Sequence, residues 1–537
     1  MRNVYRQFAS VMCAGIAALG FSGAQAQVAG SFDTTPFPGF ALGNGFIANL
    51  AIGTQNDDRA NAVALQPDGK IILAGTCAAS SGTRFCLARL LPDGQLDASF
   101  IGPNNTPGNG KFVMTIAAST TAIAKAVAVQ PDGKIVVAGT CSQKFCVARL
   151  NENGTFDTSF TGPTGNSAGH FSFEVAGFND VLSGMALQSD GKLVLVGTCD
   201  ESSAANTERM CVARLNANGS FDASFDGPAA LNPGNGAFLI PTFDVGGRQF
   251  ANAVAIRPTG RILIVGMCRS PSTNPDFCAA QLNSSGTLDS TFDGASSGNG
   301  KVKLGVYPFT PASAGAVALQ ADDKAVLVGS CSVPGCAARI QANGALDASF
   351  GDAVSNTTPA GVRLLSNSVG ALSVAVQPDG KILILVPPGN GKFGVRRLNG
   401  DGTLDETFDG PPPVGNGVVS LELTTNSTFS NAQALQPDGK IVLAGYCETS
   451  SGATPPVAFC IARINGGSSG ARNCTPDIDG DGRTTATIDG LILTRVMLGL
   501  TGTAVTGGIT FPTAAPRKTW SAIRAYLVAQ CGMTIAP

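Results

Sequence analysis

One phrase recurs along this chain: a short apolar run, then Gln-Pro-Asp-Gly-Lys or a close variant, then a second apolar run that usually ends in Gly. Clear copies span residues 62–75, 126–139, 374–385 and 432–445. The anchoring positions are Gln66, Gln130, Gln188, Gln320, Gln377 and Gln436, with Arg257 in the fourth copy. From Gln66 to Gln436 the chain advances 370 residues in six intervals, or about 62 per repeat, a blade-sized period rather than that of a short solenoid coil.

Within one unit the apolar pattern is that of strands. Residues 126–130 and 135–139 are short Val-rich runs. Between them Pro131-Asp132-Gly133-Lys134 is turn chemistry, because Pro presets its φ and Gly accepts a positive one. This predicts a β-hairpin. A third run covers 145–150, a turn 151–154, and a short segment 156–160. A Gly-rich stretch then leads to a fourth run, seen in the preceding unit at 110–116. Four short antiparallel strands in each of seven units predict an all-β chain, a seven-bladed β-propeller.

The ends of the array test that expectation. An Asp-x-x-Phe motif follows the third strand at 97–100, 157–160, 222–225, 289–292, 347–350 and 405–408, six copies for seven hairpins. The seventh hairpin ends at Ile464 without one. A related copy, Asp33-Thr34-Thr35-Pro36-Phe37, sits near the N-terminus, followed by a strand over 46–52. The N-terminal strand is therefore expected to complete the last blade and close the ring, which removes unpaired edges. A linear β-solenoid, the alternative, has no reason to divide one unit between the two ends.

The QPDGK turn, the apolar-Gly strand, the Ala-Arg-Leu strand and the LDxSF segment together resemble the delta-60 repeat family of bacterial propeller-like proteins, over roughly residues 30 to 465. The resemblance implies the fold. It carries no common activity and no catalytic residues.

Residues 1–26 read as a secretory signal: Arg2 and Arg6, an apolar core over 8–21, and Ala24-Gln25-Ala26 before a mature start near Gln27. The chain is thus expected to be secreted or extracytoplasmic, and no other stretch is long and apolar enough to span a bilayer. Cysteines occur in pairs, one just after the second strand and one at the start of the third: Cys77/Cys86, Cys141/Cys146, Cys199/Cys211, Cys268/Cys278, Cys331/Cys336 and Cys447/Cys460. Blade six has neither, with Pro387-Pro388-Gly389 in that loop. Joint presence or absence is the behaviour of a disulfide, and adjacent strands bring Cβ atoms into range. Metal binding is the rival reading, although each blade offers only two sulfurs. A net charge of −2 argues against a nucleic-acid surface. Nothing suggests membrane insertion.

After Asn465 the pattern stops, and residues 466–473 form a flexible linker. In the unit 474–537, Asp477, Asp479 and Asp481 alternate ahead of Gly482 as in the first half of an EF-hand loop. Arg483 would offer its carbonyl and Thr485 a hydroxyl or water-mediated contact. The next carboxylate, Asp489, falls at loop position 13 where the pattern has 12. Helices are expected from Ile488 to near Gly499 and over 519–530, with Cys474 and Cys531 bracketing the unit. The DIDGDG loop followed by DGLILTRVMLG looks like a dockerin-type calcium module. The second loop of a true dockerin is missing between Leu500 and Trp520, so the resemblance implies calcium binding and not cohesin recognition. A bare acidic turn is the alternative.

No Ser-His-Asp set, HExxH, GxSxG or Walker loop is visible. The one histidine, His170, sits in a Gly-rich connector and reads as an exposed loop residue. Repeated Arg89, Arg149, Arg214, Arg339, Arg397 and Arg463 are expected to pair with the repeated Asp of LDxSF as a scaffold, since an active site needs asymmetry. Asymmetry appears in blade four (Arg257, Thr259, Gln281) and in the Ala321-Asp322-Asp323 turn of blade five, marking either a binding face or drift. The favoured function is a non-catalytic binding or surface-structural protein for a protein or glycan partner. The alternative is a propeller enzyme acting on extracellular carbohydrate, of glycoside hydrolase or lyase type. Its need for a carboxylate pair and aromatic platforms is poorly met by a propeller whose only Tyr are Tyr307 and Tyr446 and whose one Trp lies outside.

Overall fold

The computed structural model of the chain describes residues 29–529 apart from 34–44, 104–107, 117–120, 165–167, 205, 228–235, 295–297, 307–310, 332–334, 352–358, 366–367, 369, 388–390, 409–416, 453–454, 467–477, 480–484, 486, 499, 513–514 and 516. Seven four-stranded antiparallel sheets follow one another. Blades one to six comprise residues 58–114, 122–173, 180–239, 248–303, 312–365 and 373–421. Blade seven joins residues 428–465 to the N-terminal strand Phe46–Leu50. Strands lie in chain order within blades one to six, and the inner strands of successive blades touch around a ring that returns from blade seven to blade one. The chain is a seven-bladed β-propeller.

Closure follows the division of the repeat. Phe46 pairs with Ala462 and Ile47 with Ile461. The Asp33 amide donates to the Arg463 carbonyl at 2.9 Å, as Asp97 does to Arg89 within blade one. The closing strand ends at Leu50 rather than Ile52, because the amides of Ile52 and Gly53 turn to the Asp58 carboxylate at 2.7 and 3.0 Å.

The apolar core sits between blades rather than within one. Seven clusters each join two neighbours; that between blades seven and one packs Leu73 and Ala88 against Val442 and Phe459. The Gly ending the second apolar run has a steric cause. The inner strand bulges opposite it in six blades, for example between Ala124 and Ala126. A Cβ on Gly139 would stand 2.0 Å from the Ile123 carbonyl and 2.8 Å from the Phe85 ring of the preceding blade. Blade six has Val386 at that place, no such bulge, and an inner strand of only four residues, Ser373–Val376.

The six expected cysteine pairs are disulfides with Cα–Cα separations of 5.7–5.9 Å. All lie toward one end of the blades, the loop face, where second and third strands connect and where the chain enters each inner strand. At the opposite end, the turn face, lie the QPDGK turns and the LDxSF segments. The last propeller strand, Val457–Asn465, runs toward the turn face.

Beyond it, helices α1 (Asp489–Met497), α2 (Thr503–Thr506) and α3 (Trp520–Ala529) enclose a small core of Ile478, Ile492, Val496, Val505, Ile523 and Leu527. The short α2 is not foreshadowed by apolar periodicity. It is tied to α1 by Arg495, which donates to the carbonyls of Val505 and Gly507, each at 2.8 Å. Residues 1–26, expected to be a signal segment, the linker beyond Gly466 and Cys474/Cys531 lie outside the described residues. No helix among the described residues is long and apolar enough to cross a membrane.

The disulfides close loops of different length, 12 residues apart for Cys199/Cys211 and 5 for Cys141/Cys146. Replacing both cysteines by Ala is expected to cost about 3 kcal/mol at the first pair and about 2 at the second, if loop entropy dominates. Denaturant titration of the two variants measures the difference, and equal losses would point to another origin.

Candidate functional site

Each repeated Arg is buried at the centre of the same set of contacts. In blade one, Arg89 Nε donates to Asp97 Oδ2 at 2.8 Å, Nη2 donates to the Ser99 hydroxyl at 2.9 Å, and the guanidinium lies 4.5 Å from the Phe100 ring centroid. Its Nη1 donates to the Glu152 carbonyl in blade two. The same reach across the seam joins Arg149 to Ala217, Arg214 to Ser284, Arg339 to Gly400 and Arg397 to Gly466. Arg463 pairs with Asp33 at 2.8 Å and reaches Pro92 of blade one at 2.6 Å, completing the circle. The last turn residue adds a cation to each carboxylate, as Lys134 does to Asp157 at 2.9 Å and, in blade four, Arg261 does to Asp289 at 3.1 Å. These groups are internal to the scaffold, as the sequence suggests.

The departures in blades four and five explain one another. In blade four the Arg and Gln positions are exchanged: Arg257 Nε donates to Gln281 Oε1, and Gln281 Nε2 donates to Asp289 Oδ2 at 2.8 Å. Arg257 also reaches the next blade, where its Nη1 meets the Asp323 carboxylate at 3.0 Å and its carbonyl. Asp323 stands where the other six turns have Gly, at φ 64°, a conformation that Asp tolerates better than most residues. Arg257 and Gln281 are 2 % and 0 % exposed, so this asymmetry is an internal compensation and neither a binding face nor drift.

The buried acids at the loop face are likewise structural. Burial raises the Asp58 and Asp180 carboxyls, opposed by amide donors from Ile52 and Gly53 and from Val175 and Ala176. Asp58 lies near Cys77 and Cys86, but those sulfurs are joined to each other, so the trio is no metal site. His170 is not in an exposed loop. It opens the strand His170–Phe173, half-buried with its ring 4.5 Å from Phe156, and burial lowers its pKa. A cavity of about 400 Å³ beside blade four's outer strand, Lys301–Lys303, includes Phe243, Asp293 and Leu346. Its Lys301 amine bridges back to the Pro241 and Thr242 carbonyls, as Lys111 of blade one does to Ala51, so this lysine is a repeated strut.

What does not repeat gathers at the loop-face mouth of the ring. Equivalent positions near the start of the inner strands hold Arg59, Ile123, Val181, Phe250, Ser313 and Phe429 in six blades, paired in register with Thr76, Thr140, Thr198, Met267, Ser330 and Tyr446. The exposed large hydrophobic residues of the described propeller are Ile123, Phe178, Val181, Val245, Leu372 and Phe429. All six lie at the start of an inner strand or in the connector leading to it. Phe429 and Tyr446 stack at 4.8 Å and 20°, and the Arg59 guanidinium stands 4.8 Å from the Tyr446 ring. Arg59 is held by Asp57 at 2.7 Å. Burial, with Asp57 and Glu448 nearby, pushes the Tyr446 phenol up and keeps it neutral, against the opposing pull of Arg59. Phe429 and Arg59 carry no sequence motif, so only registration of the repeats reveals them. Tyr307 lies outside the described residues.

A family profile described as "Domain of unknown function (DUF5122) beta-propeller" matches residues 66–100, 130–160, 188–225, 257–292 and 377–408. Each match begins at the turn Gln, or Arg257, and ends at the LDxSF Phe. The chain is of a β-propeller family. Solved structures similar to this propeller include a streptogramin B lyase, at 11 % identity over 78 % of this chain and 98 % of that one, with a TM-score of 0.44. Virginiamycin B lyase from Staphylococcus aureus matches at 8 % identity, 78 % and 99 % coverage and a TM-score of 0.43. The polysaccharide lyase Uly1 matches at 11 %, 82 % and 98 %, and 0.43. Comparison with curated proteins gave no match.

In the C-terminal unit, Asp479, Thr485 and Asp489 are described, while Asp477, Asp481 and Arg483 are not. Asp479 and Asp489 are 1 % and 2 % exposed. Asp489 Oδ1 accepts the amides of Ile478 and Asp479 at 2.6 and 3.1 Å, and Oδ2 accepts the Thr485 amide at 2.7 Å. Asp489 thereby closes the loop against the start of α1. Arg517 pins the same loop, its Nε donating to the Ile478 carbonyl at 2.7 Å.

The seam makes a pH prediction. Burial alone would raise the carboxyls of Asp222, Asp347 and Asp405, but Ser or Thr donors, the turn Lys and the paired Arg outweigh it and hold each at about 2. A carboxyl lowered in the folded state stabilises fully above its unfolded value, about 4, and loses that contribution as pH falls toward about 2. Each is expected to contribute about 2 kcal/mol at neutral pH. Melting temperature should therefore drop steeply between about pH 4 and pH 2, and Asp222→Asn should flatten that drop.

Proposed function

We propose that this chain is an extracytoplasmic, non-catalytic binding or surface-structural protein whose loop-face mouth takes a protein or glycan ligand. The observation that carries this reading is that the exposed large apolar side chains of the described propeller start inner strands or lie in the connectors leading to them, on the loop face that also holds the Phe429–Tyr446–Arg59 stack. An aromatic pair with a guanidinium against it, held on one face of a rigid ring, offers a recognition surface. The six disulfides support an oxidising setting and fix the loops that frame the mouth. The carboxylates beside the stack are engaged: Asp57 holds Arg59, and Glu448 accepts the Ser427 amide at 3.3 Å. This favours binding over the carbohydrate-cleaving alternative. The C-terminal unit would hold calcium through Asp477, Asp479, Asp481, the Arg483 carbonyl and Thr485, with Asp489 as the clamp that shapes the loop. A buried Asp479 carboxylate beside a loop rich in oxygen donors fits a hard cation.

A glycan array probed with the mature chain and with Phe429→Ala/Tyr446→Ala tests the mouth. Glycan signal reduced at least about tenfold in the variant, with melting unchanged, supports the assignment. Signal that survives in the variant removes the mouth from consideration. Calorimetric calcium titration tests the second part: saturable heat is expected in the mature chain and none with Asp477, Asp479 and Asp481 changed to Ala. Absence of heat in both would reduce the unit to a helical cap.

A further inference from the structure

Blade four differs from the others at a second place, on the loop face and in a different blade from the Phe429–Tyr446 stack. Register sets Arg248, which opens its inner strand, directly opposite Arg269, which ends the neighbouring strand. In other blades the same positions pair Asp57 with Ala78, Thr121 with Ser142, Asn179 with Asp200 and Ser427 with Glu448. Blade four alone among these faces two guanidinium groups, an arrangement that repels across a strand pair unless an anion intervenes.

The two cations are not equivalent. Arg248 is neutralised by Glu208 of blade three, with Nε to Oε2 at 2.8 Å and a second bond to Oε1. Nearby Arg209 is engaged by Glu201 at 2.7 Å. Arg269 is exposed and makes no side-chain hydrogen bond or ion pair among the described residues. Both Arg248 and Arg269 line a cavity of about 380 Å³ between blades three and four, together with Asn206, Gly246, Ser270 and Pro271. That volume is of small-ligand size. The half-buried Phe250 ring lies 5.3 Å from the Arg248 guanidinium and backs it without lining the cavity.

We propose that this cleft binds an oxyanion borne on a sugar. The carboxylate or sulfate would sit on Arg269, with Arg248 second. The ring hydroxyls would meet Asn206 and Ser270, and an apolar sugar face would meet Pro271. A planar guanidinium fork suits both oxyanions, and charge-assisted hydrogen bonds of this kind are the strong ones. The cleft is separate from the Phe429–Tyr446 stack, so its occupancy does not depend on the function proposed for the mouth.

The test uses the mature full chain and three hexasaccharides: oligogalacturonate, chondroitin sulfate and neutral cellohexaose. Binding is read by calorimetry at physiological salt, where nonspecific charge attraction is screened. At least one acidic oligosaccharide is expected to bind and cellohexaose not; which acid binds separates carboxylate from sulfate. Arg269→Ala should weaken binding at least about tenfold, and Arg269→Lys by less, because it keeps the charge but loses the fork. Lys125→Ala, which removes an exposed cation from blade two, and Phe429→Ala should leave binding unchanged. Equal binding of cellohexaose, no binding of either acid, wild-type affinity in Arg269→Ala, or an equal loss in Lys125→Ala would each overturn the proposal.

Discussion

The ring depends on a buried guanidinium that serves two blades at once. One Arg holds its own blade's carboxylate and hydroxyl, lies on that blade's Phe, and donates to a backbone carbonyl of the next. A charge removed from water must be fully satisfied to persist, and here every direction is filled by an element in a fixed place. Apolar packing between blades supplies the bulk of the contact but is tolerant of sliding. The seam is not, because a shift of one residue would strand both the cation and its acid.

Blade four shows how strict that requirement is. There the Arg and Gln have changed places, and the cation still reaches the local acid, now through Gln281, and still crosses to the next blade. The receiving turn has given up its Gly for Asp323. Three departures that look like noise in the sequence form one solution to a single electrostatic problem.

The architecture was legible because it is periodic. The Val-rich runs around Pro131–Lys134, the paired cysteines and the stray Asp33 copy each foretell a feature that the structure places where expected, including the strand that closes the ring. The mouth was not legible, since Phe429 and Tyr446 meet only through strand register within blade seven, and Arg59 joins them only when blades seven and one are closed into a ring. His170 read as a loop residue because Gly-rich flanks hide a strand of only four residues packed beside Phe156. The opposed Arg248 and Arg269 are ordinary surface residues until strand register sets them face to face.

Closure by the N-terminal strand sets the order in which the molecule can be completed. Arg89 and Asp97 lie 8 residues apart, whereas Arg463 and Asp33 lie 430 apart. By loop-length scaling, that last link carries about 3–4 kcal/mol more closure entropy than its counterpart in blade one. Six blades can gather as the chain emerges, each against its predecessor, while the first strand waits without a partner. The join between the oldest and newest parts of the chain is thus the final step of assembly. Until then the polypeptide is an open arc with two unpaired edges, and the last blade must be made before the arc becomes a ring.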